Sequence, residues 1–249
     1  MMKVLAIIPA RMDSSRYPGK PMVPILGVPM IGHIYQSVSQ CSDVNMTVVA
    51  TCDAVIFDYV TSIGGKAIMT SKSHQRASDR CAEALLKVEK ETGVNFDCVV
   101  MIQGDEPMTK PEMVSQALRP FTIDSNIQVA NLVATIASEQ EFNDRNCIKV
   151  VCDQDNNAIY FSRSPIPNSS HSDEGAARKK QVCVIPFRRD FLITFNALQA
   201  TPLEVAESID MLRVIEHGFK VHMVPTEYLS FAVDTPEDRD RVEKLMGMA

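Results

Sequence analysis

Lys3-Val4-Leu5-Ala6-Ile7-Ile8-Pro9-Ala10-Arg11-Met12-Asp13-Ser14-Ser15-Arg16-Tyr17-Pro18-Gly19-Lys20-Pro21 opens the chain with an apolar run that ends in a cationic loop. A continuous apolar stretch such as residues 3–10, rich in Val and Ile, is expected of a strand buried on both faces of a parallel sheet. In such sheets ligands bind beyond the carboxyl ends of the strands, so the loop that follows lies where a ligand belongs. Between Arg11 and Lys20 it holds two arginines, one lysine, two serines and a glycine. Arginine forks grip phosphate oxygens, lysine adds a point charge, and backbone N–H groups beside a glycine approach closely. The loop therefore reads as a triphosphate cradle, against the plainer alternative of solvated surface charge. It contains neither GxxxxGK[ST] nor GxGxxG, which argues against a P-loop and against a dinucleotide-dependent dehydrogenase.

Outward from this loop, strand-like and helix-like segments alternate. Helical spacing recurs over residues 30–41, 54–63 and 78–91, and strands are expected at 46–51, 66–70 and 97–103. Strands separated by helices of this length imply right-handed crossovers and a parallel sheet. After residue 128 the alternation weakens. Strands at 129–136, 148–152, 158–162 and 182–187 have little helix between most of them, suggesting a β-rich sublobe around 129–190 within a single domain spanning 1–249. Residues 168–180 read as a mobile polar loop, 203–217 as one helix and 219–224 as a strand.

Composition narrows the function classes. A formal charge of −6 argues against a nonspecific nucleic-acid binder. The seven cysteines are odd in number and form no CxxC pair, which suits reduced thiols in a cytoplasm. The five histidines form no HExxH or HxH spacing. No segment approaches the roughly 20 apolar residues of a membrane span, and the first apolar run is too short for a signal peptide.

Two acids stand out. Gln103-Gly104-Asp105-Glu106-Pro107 ends the expected fourth strand, so Asp105 points towards the crevice of the cationic loop, where a carboxylate holds Mg²⁺ against phosphate oxygens or merely caps a turn. Asp234 precedes Thr235-Pro236-Glu237-Asp238, a helix start with Thr235 as cap; taken alone, Asp234 also reads as an N-cap.

Read together, IPARMDSSRYPGKP (8–21), VVATCD (48–53), MTSKSHQRASDRCAEA (69–84), IQGDEP (102–107), KVVCD (149–153), AIYFSRSPIP (158–167), ESIDMLRVIEHG (207–218) and VDTPED (233–238) resemble the CMP-KDO synthetases. These cytidylyltransferases activate the acidic sugar KDO for lipopolysaccharide. The resemblance implies an α/β, Rossmann-like nucleotide-diphospho-sugar transferase fold with a mostly parallel central sheet and a smaller β-rich dimerisation lobe. It implies a cytoplasmic homodimer that binds CTP and a small acidic sugar, with Mg²⁺ on Asp105 and Asp234 and with Arg11, Lys20 and Asp105 as catalytic residues. On the nucleotide side it implies Ala10, Arg11, Ser14, Arg16, Lys20, Thr51, Asp53, Ser71, Ser78, Asp79, Arg80 and Gln103. On the acceptor side it implies Gln103, Arg163, Gln181, Glu207 and Asp210.

The chain departs from the family pattern at several of these places. The nucleoside-side loop, usually close to HxSGTDR, carries Arg76, Ala77 and Ser78 in place of Ser, Gly and Thr. The family's KHIGIYAYR reads here KQVCVIPFR over 180–188, and LEQLR reads IDMLR over 209–213. Gln181, Ile185, Phe187, Asp210 and Met211 therefore alter the acceptor pocket. Three other readings stay open: another acceptor, another nucleoside triphosphate on the same fold, and a non-catalytic nucleotide-binding module.

Overall fold

The structure is a computed structural model that describes residues 2–14, 16–168 and 177–248. From the amino end the chain runs through β1 (Val4–Ala10), a hairpin of β2 (Pro24–Ile25) and β3 (Val28–Pro29), α1 (Met30–Val38), β4 (Met46–Thr51), α2 (Ala54–Ser62) and β5 (Ala67–Met69). Next come α3 (Ala77–Thr92), β6 (Cys98–Ile102), α4 (Pro111–Ile123), β7 (Ala130–Thr135), α5 (Glu139–Asn143), β8 (Lys149–Cys152) and β9 (Ala158–Ser162). Then follow β10 (Lys179–Val182), β11 (Val184–Arg188), α6 (Arg189–Ala197), α7 (Pro202–Glu207), α8 (Met211–Glu216), β12 (His222–Pro225) and α9 (Pro236–Gly247).

One sheet has the order β11-β6-β1-β4-β5, parallel except for β11, which runs antiparallel to β6. Strand β1 is buried throughout because both of its faces are covered. Val4, Ala6 and Ile8 join a core with Ile31 and Ile34 of α1 and Val114 and Leu118 of α4. Leu5 and Ile7 join the other core, with Leu85 and Val88 of α3 and Leu192 of α6. Successive side chains of a strand point to opposite faces, so two covered faces require the unbroken apolar run. The second sheet, β12-β7-β10-β8-β9, is antiparallel apart from the β7–β12 pair.

Three local expectations are corrected. The single strand over 182–187 is two strands in two sheets, divided at Cys183. The Cys183 N–H donates to the Glu106 carboxylate at 2.8 Å and its carbonyl accepts from the Gln103 N–H at 3.1 Å. Its backbone is thus tied to the loop after β6, and the chain switches sheets there. The single helix over 203–217 is α7 and α8, broken at Ser208 in the left-handed region (φ 55°). Residues nine apart on one helix face opposite ways. The break lets Glu204 accept from Arg213 Nε at 2.7 Å and Nη2 at 2.6 Å in the interior. The loop expected over 168–180 lies partly outside the described residues, at 169–176, and its last two residues belong to β10. Helices α4, α5 and α6 have no counterpart in the sequence reading. Among the described residues no helix is long and apolar enough to cross a membrane.

Candidate functional site

The end of β1, where the cationic loop begins, and the loop after β6 are laid directly against each other. A Cβ built on Gly104 would lie 2.8 Å from the Pro9 carbonyl oxygen and 3.4 Å from the Ala10 Cβ. Gly104→Ala must push the two loops apart, and overpacking of this kind costs about 1–3 kcal/mol. We expect a lower urea midpoint together with reduced turnover; an unchanged midpoint would show that the loops separate freely.

The cationic loop is pinned from beneath. Met12 N–H donates to Asp53 Oδ2 at 2.8 Å, and Asp53 N–H donates to Thr51 Oγ1 at 3.1 Å. Gly19, at φ 75°, turns the chain with its N–H on the Met12 carbonyl at 2.9 Å, sending Lys20 back into the crevice. There the Lys20 ammonium donates to Asp105 Oδ2 at 2.7 Å, to Asp234 Oδ1 at 2.9 Å and to the Val233 carbonyl at 3.2 Å. Two acids 129 residues apart in sequence (234 − 105) therefore meet on one cation. Burial alone would lower the Lys20 pKa, but the charges of Asp105 and Asp234 and their hydrogen bonds outweigh it and hold the ammonium above the ordinary lysine value.

Asp234 is not the cap of α9. Thr235 is, with its hydroxyl accepting from the Asp238 N–H at 3.2 Å. That leaves the Asp234 carboxylate available to Lys20 and to Arg16 Nη1, at 2.8 Å. The same Arg16 nitrogen donates to Asn146.

Two cavities flank the acid pair. The first, of about 270 Å³, is lined by Ala10, Arg11, Ser14, Arg16, Lys20, Arg80, Gln103 and Asp105 among others. The second, of about 220 Å³, is lined by Gln103, Asp105, Arg163, Gln181, Cys183, Asp210 and Asp234 among others. Five of the expected nucleotide-side residues are absent from the first wall. Thr51 and Asp53 support the loop from behind. Ser71 is exposed and bonded to Ser73, Ser78 donates to Asp210 Oδ2 at 2.9 Å, and Asp79 also lies off the wall. His74 does line the first cavity, paired with the Glu83 carboxylate.

On the second wall, Gln181 donates its amide to Asn131. Arg163 gives Nε to the Glu207 carbonyl (2.7 Å), Nη1 to the Arg145 carbonyl (3.0 Å) and Nη2 to the Ser208 carbonyl (3.4 Å). Glu207 lies behind the wall, where its carboxylate accepts from Ser162 Oγ and the Arg163 N–H, both at 2.8 Å. Burial pushes the Asp210 carboxyl above its usual range, while Arg76 and Ser78 pull it back.

Sequence reasoning missed Asn146 and Lys149. Lys149 is fully buried and its ammonium donates to the carbonyls of Asp144 (2.6 Å), Cys147 (2.9 Å) and Arg163 (2.8 Å). It clamps the loop that presents Asn146 to Arg16. The available signal was a lone lysine inside an apolar strand, Ile148-Lys149-Val150-Val151, because a buried cation demands several acceptors.

The donor set suits a hard cation. Among the described residues no three His, Cys, Asp or Glu side chains converge to hold a metal unaided. Mg²⁺ is commonly held by one or two carboxylates together with substrate phosphates and water, and Asp105 with Asp234 beside a cationic cavity fits that pattern.

Comparison with known proteins shows the family. The cytidylyltransferase family model matches residues 5–223. The chain is 39% identical to a 3-deoxy-manno-octulosonate cytidylyltransferase of Geobacter metallireducens, over 98% of each chain. It is 39% identical to one of Syntrophus aciditrophicus, over 99% of this chain and 98% of the relative. A solved structure of CMP:2-keto-3-deoxy-manno-octonic acid synthetase complexed with CTP superposes with a TM-score of 0.88 at 36% identity, over 99% of both chains. With its parallel sheet, cationic first loop and paired acids, the chain belongs to the cytidylyltransferases, among the 3-deoxy-manno-octulosonate (CMP-KDO synthetase) members of that family.

Proposed function

We propose that the protein transfers CMP from CTP to the anomeric hydroxyl of KDO, or of a close 2-keto-3-deoxy sugar acid, and releases pyrophosphate. The observation that carries this reading is the meeting of Asp105 and Asp234 on Lys20 between a cationic cavity and a second, polar one. The names of the relatives supply the identity of the nucleotide and the sugar.

In this reading CTP lies in the first cavity, with Arg11, Arg16 and Lys20 against its phosphates, and the acceptor lies in the second. The acceptor hydroxyl attacks the α-phosphorus and gives its proton to solvent water, the bond to the bridging oxygen breaks, and pyrophosphate leaves with the electron pair. Little covalent chemistry falls to the protein, so positioning and charge neutralisation supply the acceleration. Mg²⁺, held by Asp105 and Asp234 with the phosphates, would supply positive charge and acidify the attacking hydroxyl. Lys20, released from the acids, then faces negative charge growing on the leaving group. A cytoplasmic homodimer pairing through the second sheet belongs to the same proposal.

The test follows pyrophosphate release from KDO with each of CTP, UTP, GTP and ATP in the presence of Mg²⁺. Turnover with CTP and KDO is expected, and its absence across a panel of 2-keto-3-deoxy acids would sink the reading.

A further inference from the structure

The acceptor-side cavity is lined by three arginines, of which Arg76 is the least engaged by backbone or by the acid pair. Arg76 stands at the turn into α3, and its side chain does not cap the helix. It lines both cavities. Its Nη1 lies 3.2 Å from Asp210 Oδ1 and donates to Ser208 Oγ at 3.3 Å, while Nε lies 3.6 Å from Glu204 Oε1. The α7–α8 corner thus holds Nη1 and stands beside Nε. Nη2 makes no hydrogen bond among the described residues, and the side chain is 25% exposed.

The other two arginines of that cavity are differently engaged. Arg163 directs all three of its nitrogens at backbone carbonyls. Arg16 turns Nη1 to Asp234 and Asn146, beside the acid pair. A planar guanidinium held at Nη1 and Nε presents its Nη2 N–H groups to the cavity, where they can donate to a carboxylate oxygen with little conformational freedom left to lose.

We propose that Arg76 is a specificity-determining residue that binds the carboxylate of the sugar acid in the acceptor cavity. This rests on the acceptor assignment above and adds the residue that selects its charge. The competing contact is CTP, since Arg76 also faces the nucleotide cavity.

The experiment compares KDO with its C1 carboxamide, as acceptors and as ligands of the CTP-loaded protein, in wild type, R76Q and R76K. CTP affinity is measured separately by calorimetry without acceptor. Loss of one charge-assisted hydrogen-bonded contact lowers affinity about tenfold to a hundredfold. Wild type is expected to prefer acid to amide by that factor. R76Q should lose most of the preference, with a raised KM for KDO and unchanged CTP affinity; R76K, which keeps the charge without the held Nη2 group, should fall between. If R76Q lowers acid and amide equally, Arg76 only braces the α7–α8 corner and the proposal fails. Weakened CTP binding with the acid preference intact overturns it too. Should thermal melts show R76Q unfolded, the acid-to-amide ratio in R76K decides, and a ratio equal to wild type counts against the proposal. Failure of wild type to turn over KDO defeats the proposed function; the acid-over-amide binding preference and its dependence on Arg76 are read without turnover.

Discussion

Asp105→Asn is expected to lower kcat by about 10³-fold, because it removes charge from the proposed metal position beside the phosphates. The fold has little reason to change. Asparagine matches aspartate in shape and its Oδ1 still accepts from the Lys20 ammonium, which keeps Asp234 at 2.9 Å. The backbone carbonyl of residue 105 still accepts from the Val233 N–H at 2.8 Å, holding the two loops together. Circular dichroism and the melting temperature should therefore stay close to wild type while pyrophosphate release collapses. CTP affinity measured without Mg²⁺ should hold or improve, since a negative charge next to the phosphates is gone. Turnover within a few-fold of wild type would remove Asp105 from the reaction.

Much of this centre was legible in the sequence because it depends on local pattern. The unbroken apolar run of β1 requires cover on both faces, which sets the parallel sheet and places both the 9–21 loop and the QGDEP loop at its carboxyl edge. Long-range balances were not legible. Asp234 looks like a cap until Thr235 is seen holding the Asp238 N–H. The break at Ser208 has no glycine or proline to announce it; it is set by Glu204 meeting Arg213 in the interior. The division at Cys183 follows from the buried Glu106, whose carboxylate occupies a strand N–H and the Ser230 hydroxyl. Each depends on a partner distant in the chain or on a fold-back that helical periodicity does not show. Arg76 was visible as a departure from a pattern, but only the packing of α7 and α8 gave it an acceptor-side position.

Lys20→Met should have the second large effect, and its signature differs from that of Asp105→Asn. In wild type the ammonium, with a side chain only 12% exposed, separates two carboxylates that would otherwise face each other. Among the described residues, removing it leaves Asp234 with Arg16 alone and Asp105 with no cation, and uncompensated buried charge is strongly destabilising. The variant should melt at a lower temperature, and added Mg²⁺ should recover part of the loss, because a ligand that binds the folded state stabilises it. Wild type should gain less from the ion alone, since Lys20 already occupies the space between the acids. Manganese, as a spectroscopic stand-in, should bind Lys20→Met more tightly than wild type in the absence of nucleotide. Turnover should nevertheless fall by about 10²–10³-fold, because Arg11 and Arg16 remain near the phosphates but the ammonium that meets charge on the departing pyrophosphate is gone. Equal manganese affinity in the two proteins would mean that the acid pair is not the metal position. Retained turnover would mean that Lys20 serves the fold and not the reaction.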